Sequence, residues 1–189
     1  MPGDGIGFAL NQLEKRYGTG PIATPGIERT LPMEINEKVA DFALQTDEEK
    51  TVKLSDFAGK PVILFFYPKA DTPGCTIEAC GFRDTFKKLQ AAGAVVLGIS
   101  RDTPGDQAKF RAKYDLPYTL LADVDEKVCK QFDVLREKNM YGKKVMGIVR
   151  TTFVIGPDQK LLHVFPQVKP EGHAEEVLAL LKEWKKAQK

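Results

Sequence analysis

The chain has 189 residues, with 28 Lys and Arg against 26 Asp and Glu, a formal charge of +2, 42% hydrophobic residues and 29% charged ones. Such a length fits one domain with a sizeable core, and the near-balance of charge without a basic block excludes a nucleic-acid binder that works through a phosphate-tracking patch. Apolar runs are short, Val62 to Tyr67 among them, so no membrane span is expected.

Residues 1–32 differ from the rest. Met1 to Gly7 and Gly18 to Pro32 are rich in Gly, Pro and Thr, while Leu10, Leu13 and Tyr17 predict a short helix over Phe8–Tyr17. The segment reads as an N-terminal extension or tag, with a docking or targeting arm as the alternative, and the folded domain is expected over residues 33–189. From Met33 onward, strands and helices alternate. Asp41–Leu44 and Thr51–Leu54 predict a small hairpin. Pro61–Tyr67, continuously apolar, predicts a strand buried on both faces. A helix should follow Pro73, with Phe82, Phe86 and Leu89 on one side, and end near Gly93; Ala94–Ser100 predicts a second buried strand.

Asp106–Tyr114 predicts the next helix, Tyr118–Ala122 a short strand, and Asp125 caps a brief helix running through Phe132. Val145–Ile155 and Lys160–Val168 form a hairpin around Gly156-Pro157-Asp158. Glu171–Lys186 closes the chain as an amphipathic helix with Val177, Leu180, Leu181 and Trp184 inward. This order implies an α/β fold, a mixed central sheet flanked by helices on both faces.

Three cysteines are too few for a disulfide-stapled secreted scaffold, and no export signal opens the chain. Reduced thiols in the cytoplasm are therefore expected, where a disulfide is transient and catalytic. Cys75 is the cysteine placed for chemistry. A buried strand ends at Tyr67, a Pro- and Gly-containing loop follows, and a helix begins near Cys75. Unpaired N–H groups and the positive end of a helix dipole favour an anion there, and a helix N-terminus or a nearby cation lowers the pKa of a thiol. Asp71 opposes this, so a cation has to come from elsewhere in the fold.

Pro68-x-x-x-Thr72-x-x-Cys75 resembles the active-site signature of the peroxiredoxins. Cys75-Thr76-Ile77-Glu78-Ala79-Cys80, followed by Gly81-Phe82-Arg83-Asp84, is similar to the bacterioferritin comigratory protein (PrxQ) branch, and Arg150-Thr151-Thr152-Phe153-Val154-Ile155 to the family strand that carries its active-site arginine. The resemblance runs from about Met33 to the C-terminus. It implies a thioredoxin-like fold and a peroxidase that uses no cofactor, neither metal, haem nor flavin. Cys75 is the implied peroxidatic residue, attacking the terminal peroxide oxygen and becoming a sulfenic acid. Arg150 supplies the missing cation, Thr72 a hydroxyl that accepts the peroxide proton while donating to sulfur or oxygen, and Pro68 a shield against bulk water. Backbone N–H groups around Gly74 and Cys75 are expected to bind the peroxide oxygens.

Cys80 is the implied resolving residue, closing an intramolecular disulfide that a thioredoxin or glutaredoxin would reduce. Five residues along an α-helix place Cα atoms roughly 8.6 Å apart, beyond the ~4.4–6.8 Å that a disulfide allows. The first turns of the helix must then unwind on oxidation. One alternative is a one-cysteine peroxidase using an external thiol; another is a peroxide-sensing thiol switch or holdase. Cys129 reads as a small buried hydrophobe, with a backup-thiol role as the alternative. Glu78 reads as a solvated first-turn acid, with assistance to proton movement near the site as the alternative. His163 and His173 are isolated from any metal-ligand spacing, no Cys-x-x-Cys or Gly-rich phosphate loop occurs, and a cytoplasmic monomer is expected with no nucleic-acid or membrane partner.

Overall fold

A computed structural model describes residues 33–189; the expected N-terminal extension and its helix over Phe8–Tyr17 lie outside the described residues. The elements, in chain order, are β1 (Ala43–Thr46), β2 (Thr51–Lys53), a 3-10 turn (Leu54–Phe57), β3 (Val62–Phe66), α1 (Pro73–Ala91), β4 (Val95–Ser100), α2 (Pro104–Lys113), β5 (Thr119–Ala122), α3 (Lys127–Gln131), β6 (Leu135–Met140), β7 (Lys143–Ile148), β8 (Thr151–Ile155), β9 (Leu161–Phe165) and α4 (His173–Ala187). Seven strands form one mixed sheet in the order β2-β1-β5-β4-β3-β8-β9, and β6-β7 is a separate ribbon. The parallel pairs are β3 with β4 and β4 with β5; β8 joins the other side of β3 antiparallel.

β3 lies near the centre of the sheet, and all five of its residues are buried. Side chains alternate across a strand, so Val62, Leu64 and Phe66 enter one core while Ile63 and Phe65 enter the other, with Tyr67 following on that second face. Ala79, Phe82 and Leu89 of α1, Phe110 of α2 and Val177, Leu180 and Leu181 of α4 cover the Phe65 face. Val128 and Cys129 of α3, with Phe42, Phe132 and Val134, cover the Phe66 face. Each fully buried Phe or Leu contributes on the order of 1.5–3 kcal/mol relative to exposure. Gly98 makes this packing feasible: a Cβ there would lie 2.7 Å from the Phe65 ring and 2.8 Å from Leu120.

Three details differ from the expectations. The brief helix is capped chiefly by Asp123, whose carboxylate accepts the backbone N–H groups of Val128 and Cys129 at 3.2 and 2.6 Å, while Asp125 accepts only that of Lys127, at 3.4 Å. Asp125 is exposed and paired with Lys127, whereas Asp123 is buried beneath the first turn. The predicted strand Val145–Ile155 is two strands, interrupted at Val149 and Arg150. Its first part pairs with Leu135–Met140 as the β6-β7 ribbon, an element the sequence reading lacked. Solvent reaches most of that ribbon, so its residues need not alternate polar and apolar; the signal it does leave is the tight turn at Tyr141-Gly142, both with positive φ.

Candidate active site

The site is assembled at the end of β3. The loop after Tyr67 is held from below by a polar chain that no local pattern announces. The buried Tyr67 hydroxyl donates to the Gln107 side-chain carbonyl, and Gln107 Nε2 donates to Ser100 Oγ and to the Leu121 carbonyl, both at 2.9 Å. Ser100 Oγ in turn donates to Asp102 Oδ2 at 2.6 Å, and the same oxygen accepts the Ala70 N–H at 2.8 Å. Each of these four side chains has a partner, which fixes the loop to the ends of β4 and β5. Asp71, at φ 58°, points the other way, onto Lys113 Nζ at 2.7 Å and the Tyr114 hydroxyl at 2.8 Å. Lys113 holds its carboxyl below the usual carboxylate range, and its charge is matched there rather than opposing Cys75.

Thr72 occupies the N-cap of α1, but its hydroxyl makes no cap bond. It donates to the Lys69 carbonyl at 2.8 Å, which leaves its oxygen lone pairs to offer a substrate. Pro68 is half-buried at the start of the same loop. Cys75 is the third residue of the helix and 1% exposed.

The cation arrives from a distant part of the sequence, 75 residues further on. The register pairs Phe66 with Thr151, so Arg150, immediately before β8, stands level with the start of the loop. Its own carbonyl accepts the Val168 N–H at 2.9 Å, which anchors the backbone. Arg150 Nη2 reaches Cys75 Sγ at 3.4 Å and Nη1 reaches Glu78 Oε2 at 2.6 Å. Gly74 leaves room for this approach: a Cβ there would lie 3.0 Å from Nη2. Partial burial works against the arginine's charge, but Glu78 and Cys75 outweigh it and hold its pKa above the ordinary value.

Glu78 is not a solvated acid. It is 1% exposed, and among the described residues its Oε1 has no hydrogen-bond partner. Burial pushes its pKa up to about 7 against the pull of Arg150. The sequence does carry a signal for this, since positions 75, 78, 82, 85 and 89 form one buried stripe along α1. Cys80, half-buried in the same intact helix, is a free thiol like Cys75 and Cys129. Cys129 is fully buried on the other face of the sheet, where burial and the Asp123 carboxylate push its thiol well above its ordinary pKa. His163 and His173 are buried and lowered to about 4 by desolvation, so both rings are neutral near pH 7; His173 Nε2 shares a 2.8 Å hydrogen bond with Thr152 Oγ1.

This arrangement presents a sulfur to a guanidinium and to the first turn of a helix, in a setting where a negative charge can pass from sulfur to an adjacent oxygen. Residues 35–164 match the AhpC/TSA family. A putative Bcp peroxiredoxin of Coxiella burnetii is 50% identical over 80% of this chain and 100% of its own length, and Bcp of Escherichia coli is 45% identical over 80% and 97%. Among solved structures, a PrxQ variant from Xylella fastidiosa superposes with a TM-score of 0.75 at 38% identity, covering 79% of this chain and 96% of that one. Peroxiredoxin Q of Xanthomonas campestris gives 0.72 at 41%, covering 75% and 89%. No helix among the described residues is long and apolar enough to cross a membrane. The chain belongs to the AhpC/TSA family and, within it, to the thioredoxin-fold Bcp/PrxQ peroxiredoxins, which are thiol peroxidases.

Proposed function

We propose that residues 33–189 reduce hydrogen peroxide and small organic hydroperoxides at Cys75, with Cys80 closing an intramolecular disulfide that thioredoxin or glutaredoxin reopens. The observation that carries this reading is the forked contact of Arg150 with both Cys75 and Glu78. Organic hydroperoxides are included because a Xanthomonas campestris bacterioferritin comigratory protein, 40% identical over 77% of this chain, is described for alkyl peroxide reduction.

The sulfur attacks the terminal peroxide oxygen in line; an S–O bond forms as the O–O bond breaks. The peroxide's own proton, accepted by Thr72 Oγ1, passes to the departing oxygen, which leaves as water or an alcohol, and the sulfenate left on Cys75 takes up a proton from solvent to give the sulfenic acid. Arg150 and the N–H groups of the first helical turn stabilise the charge as it moves, and Glu78 fixes the guanidinium in the orientation that reaches the sulfur. Pro68 has no N–H and covers the site from water. Cys80 then attacks the sulfenic acid, for which the first turns of α1 unwind. The protein acts as a cytoplasmic monomer, needs no cofactor and engages no nucleic acid or membrane.

The test is peroxide consumption coupled to thioredoxin, thioredoxin reductase and NADPH. Cys75→Ser is expected to abolish turnover and Cys80→Ser to remove the thioredoxin-linked part. Unchanged turnover in Cys75→Ser overturns the reading; unchanged turnover in Cys80→Ser favours an external resolving thiol.

A further inference from the structure

The helix that must unwind is not held evenly along its length. From the end of the second turn onward, one side chain from outside the helix and one of its own tie it to neighbouring elements. The Tyr118 hydroxyl, buried at the edge of β5, donates to the Ala79 carbonyl at 2.6 Å. Arg83 Nη1 donates to the Tyr114 carbonyl at the end of α2 at 2.9 Å, while its Nε donates to Asp84 at 2.9 Å. Cys80 lies between these two grips, and Arg83, three residues further on, shares its helix face. The first turn has a different anchor, Arg150 on Cys75 and Glu78, and that contact involves the sulfur which peroxide modifies.

We propose that Arg83 and Tyr118 are positioning residues for disulfide formation: they keep Cys80 in place beside a fixed cation while Cys75 travels to it. This rests on the reading of Cys80 as the resolving thiol. In the step, the Cys80 thiol ionises, its sulfur attacks Cys75 Sγ of the sulfenic acid, an S–S bond forms and the S–O bond breaks. The departing hydroxide takes up a proton equivalent to the one Cys80 released, giving water. The attacking species is a thiolate, so a cation at Cys80 favours the step. Charged and titratable groups near Cys80 are Arg83 and Asp84 on its own helix, Asp115 beyond α2, Tyr118, and Glu78, which is committed to Arg150. Asp84, then Cys80 and Asp115, hold the guanidinium above its ordinary pKa, and burial keeps Tyr118 a neutral donor.

The experiment is a single turnover of the full chain with one equivalent of hydrogen peroxide, acid-quenched at intervals. Sulfenic acid and the Cys75–Cys80 peptide are quantified by mass spectrometry across a range of pH. In Arg83→Gln, disulfide formation relative to sulfenic acid formation in the same variant is expected to fall about tenfold at neutral pH, with the deficit shrinking at alkaline pH, and Arg83→Lys to regain most of it. Tyr118→Phe is expected to slow the same step at every pH while leaving the shape of its profile unchanged. A wild-type ratio in Arg83→Gln, or a deficit equal at all pH, overturns the role of the cation; a wild-type ratio in Tyr118→Phe overturns the grip. Absence of the Cys75–Cys80 peptide in the wild-type protein overturns the resolving role itself, a result read without either variant.

Discussion

Cys75 and Cys129 have much in common. Each is the third residue of its helix, each is essentially unexposed, and each lies in a well-packed core. Their surroundings are opposite. At α3 the first-turn N–H groups already have an anion, the Asp123 carboxylate, which also bears on the Cys129 sulfur and favours its protonated form. At α1 the N-cap side chain turns away to Lys69, and the charge that reaches the sulfur is the positive fork of Arg150. A helix N-terminus favours negative charge in its neighbourhood, and the fold decides which side chain stands there. Burial is therefore common to the two cysteines, and the sign of the nearest charge is what separates them.

The contrast is sharpest if one thiol carries all the chemistry. Cys75→Ser should abolish peroxide consumption while Cys129→Ala retains it, measured by the loss of peroxide under identical conditions; comparable losses in both would erase the distinction. Next in size, Arg150→Met should lower the second-order rate with peroxide by about 10²–10³-fold, the range for losing a charge stabiliser at a reacting centre. Arg150→Lys should recover little, because a point charge cannot hold Glu78 and the sulfur at once.

Smaller effects are expected where the fork is disturbed without being removed. Gly74→Ala puts a Cβ 3.0 Å from Arg150 Nη2 and should cost about tenfold in the peroxide step, with little change in the thermal midpoint. Glu78→Gln should act mainly through pH. The folded pKa of Glu78, about 7, stands above the ordinary value of 4.5, so the folded state binds the proton more tightly than the unfolded state. Its contribution to stability is thus full below about 4.5 and is lost as pH rises through about 7. Relative to wild type, the Gln variant should gain stability across that interval in denaturant titrations; a constant difference would place the carboxylate's ionisation elsewhere. Smallest of all, Asp123→Asn should bring the Cys129 thiol down towards its ordinary range, yet iodoacetamide labelling should stay slow because the sulfur is still fully buried.

Much of the architecture was legible in the chain. β3, α1, β4 and α4 fall within a few residues of their expected ends, because a strand buried on both faces and an amphipathic helix each carry their own periodicity. The β6-β7 ribbon left a weaker trace, since its solvated strands mix charged and apolar residues without a buried face. At the site, Cys75, Thr72, Pro68 and Arg150 were singled out by motif. The environment of Glu78 was misread because a glutamate near a helix start usually faces water, although its place on the buried stripe of α1 pointed inward.

From the sequence by itself came the place of one sulfur: a strand that must be buried, a Pro/Gly loop that cannot continue it, and a helix whose first turn holds Cys75. These are short-range effects of side-chain size and backbone freedom, set by residues adjacent in the chain. Only the tertiary structure decided which charge each buried cysteine meets. Arg150 is 75 residues from Cys75 along the chain and reaches it through the pairing of β8 with β3, while Asp123 reaches Cys129 through a local turn on the opposite face of the same sheet. Electrostatic interactions depend on distance in space, and a single sheet register is enough to set one sulfur beside a cation and the other beside a carboxylate.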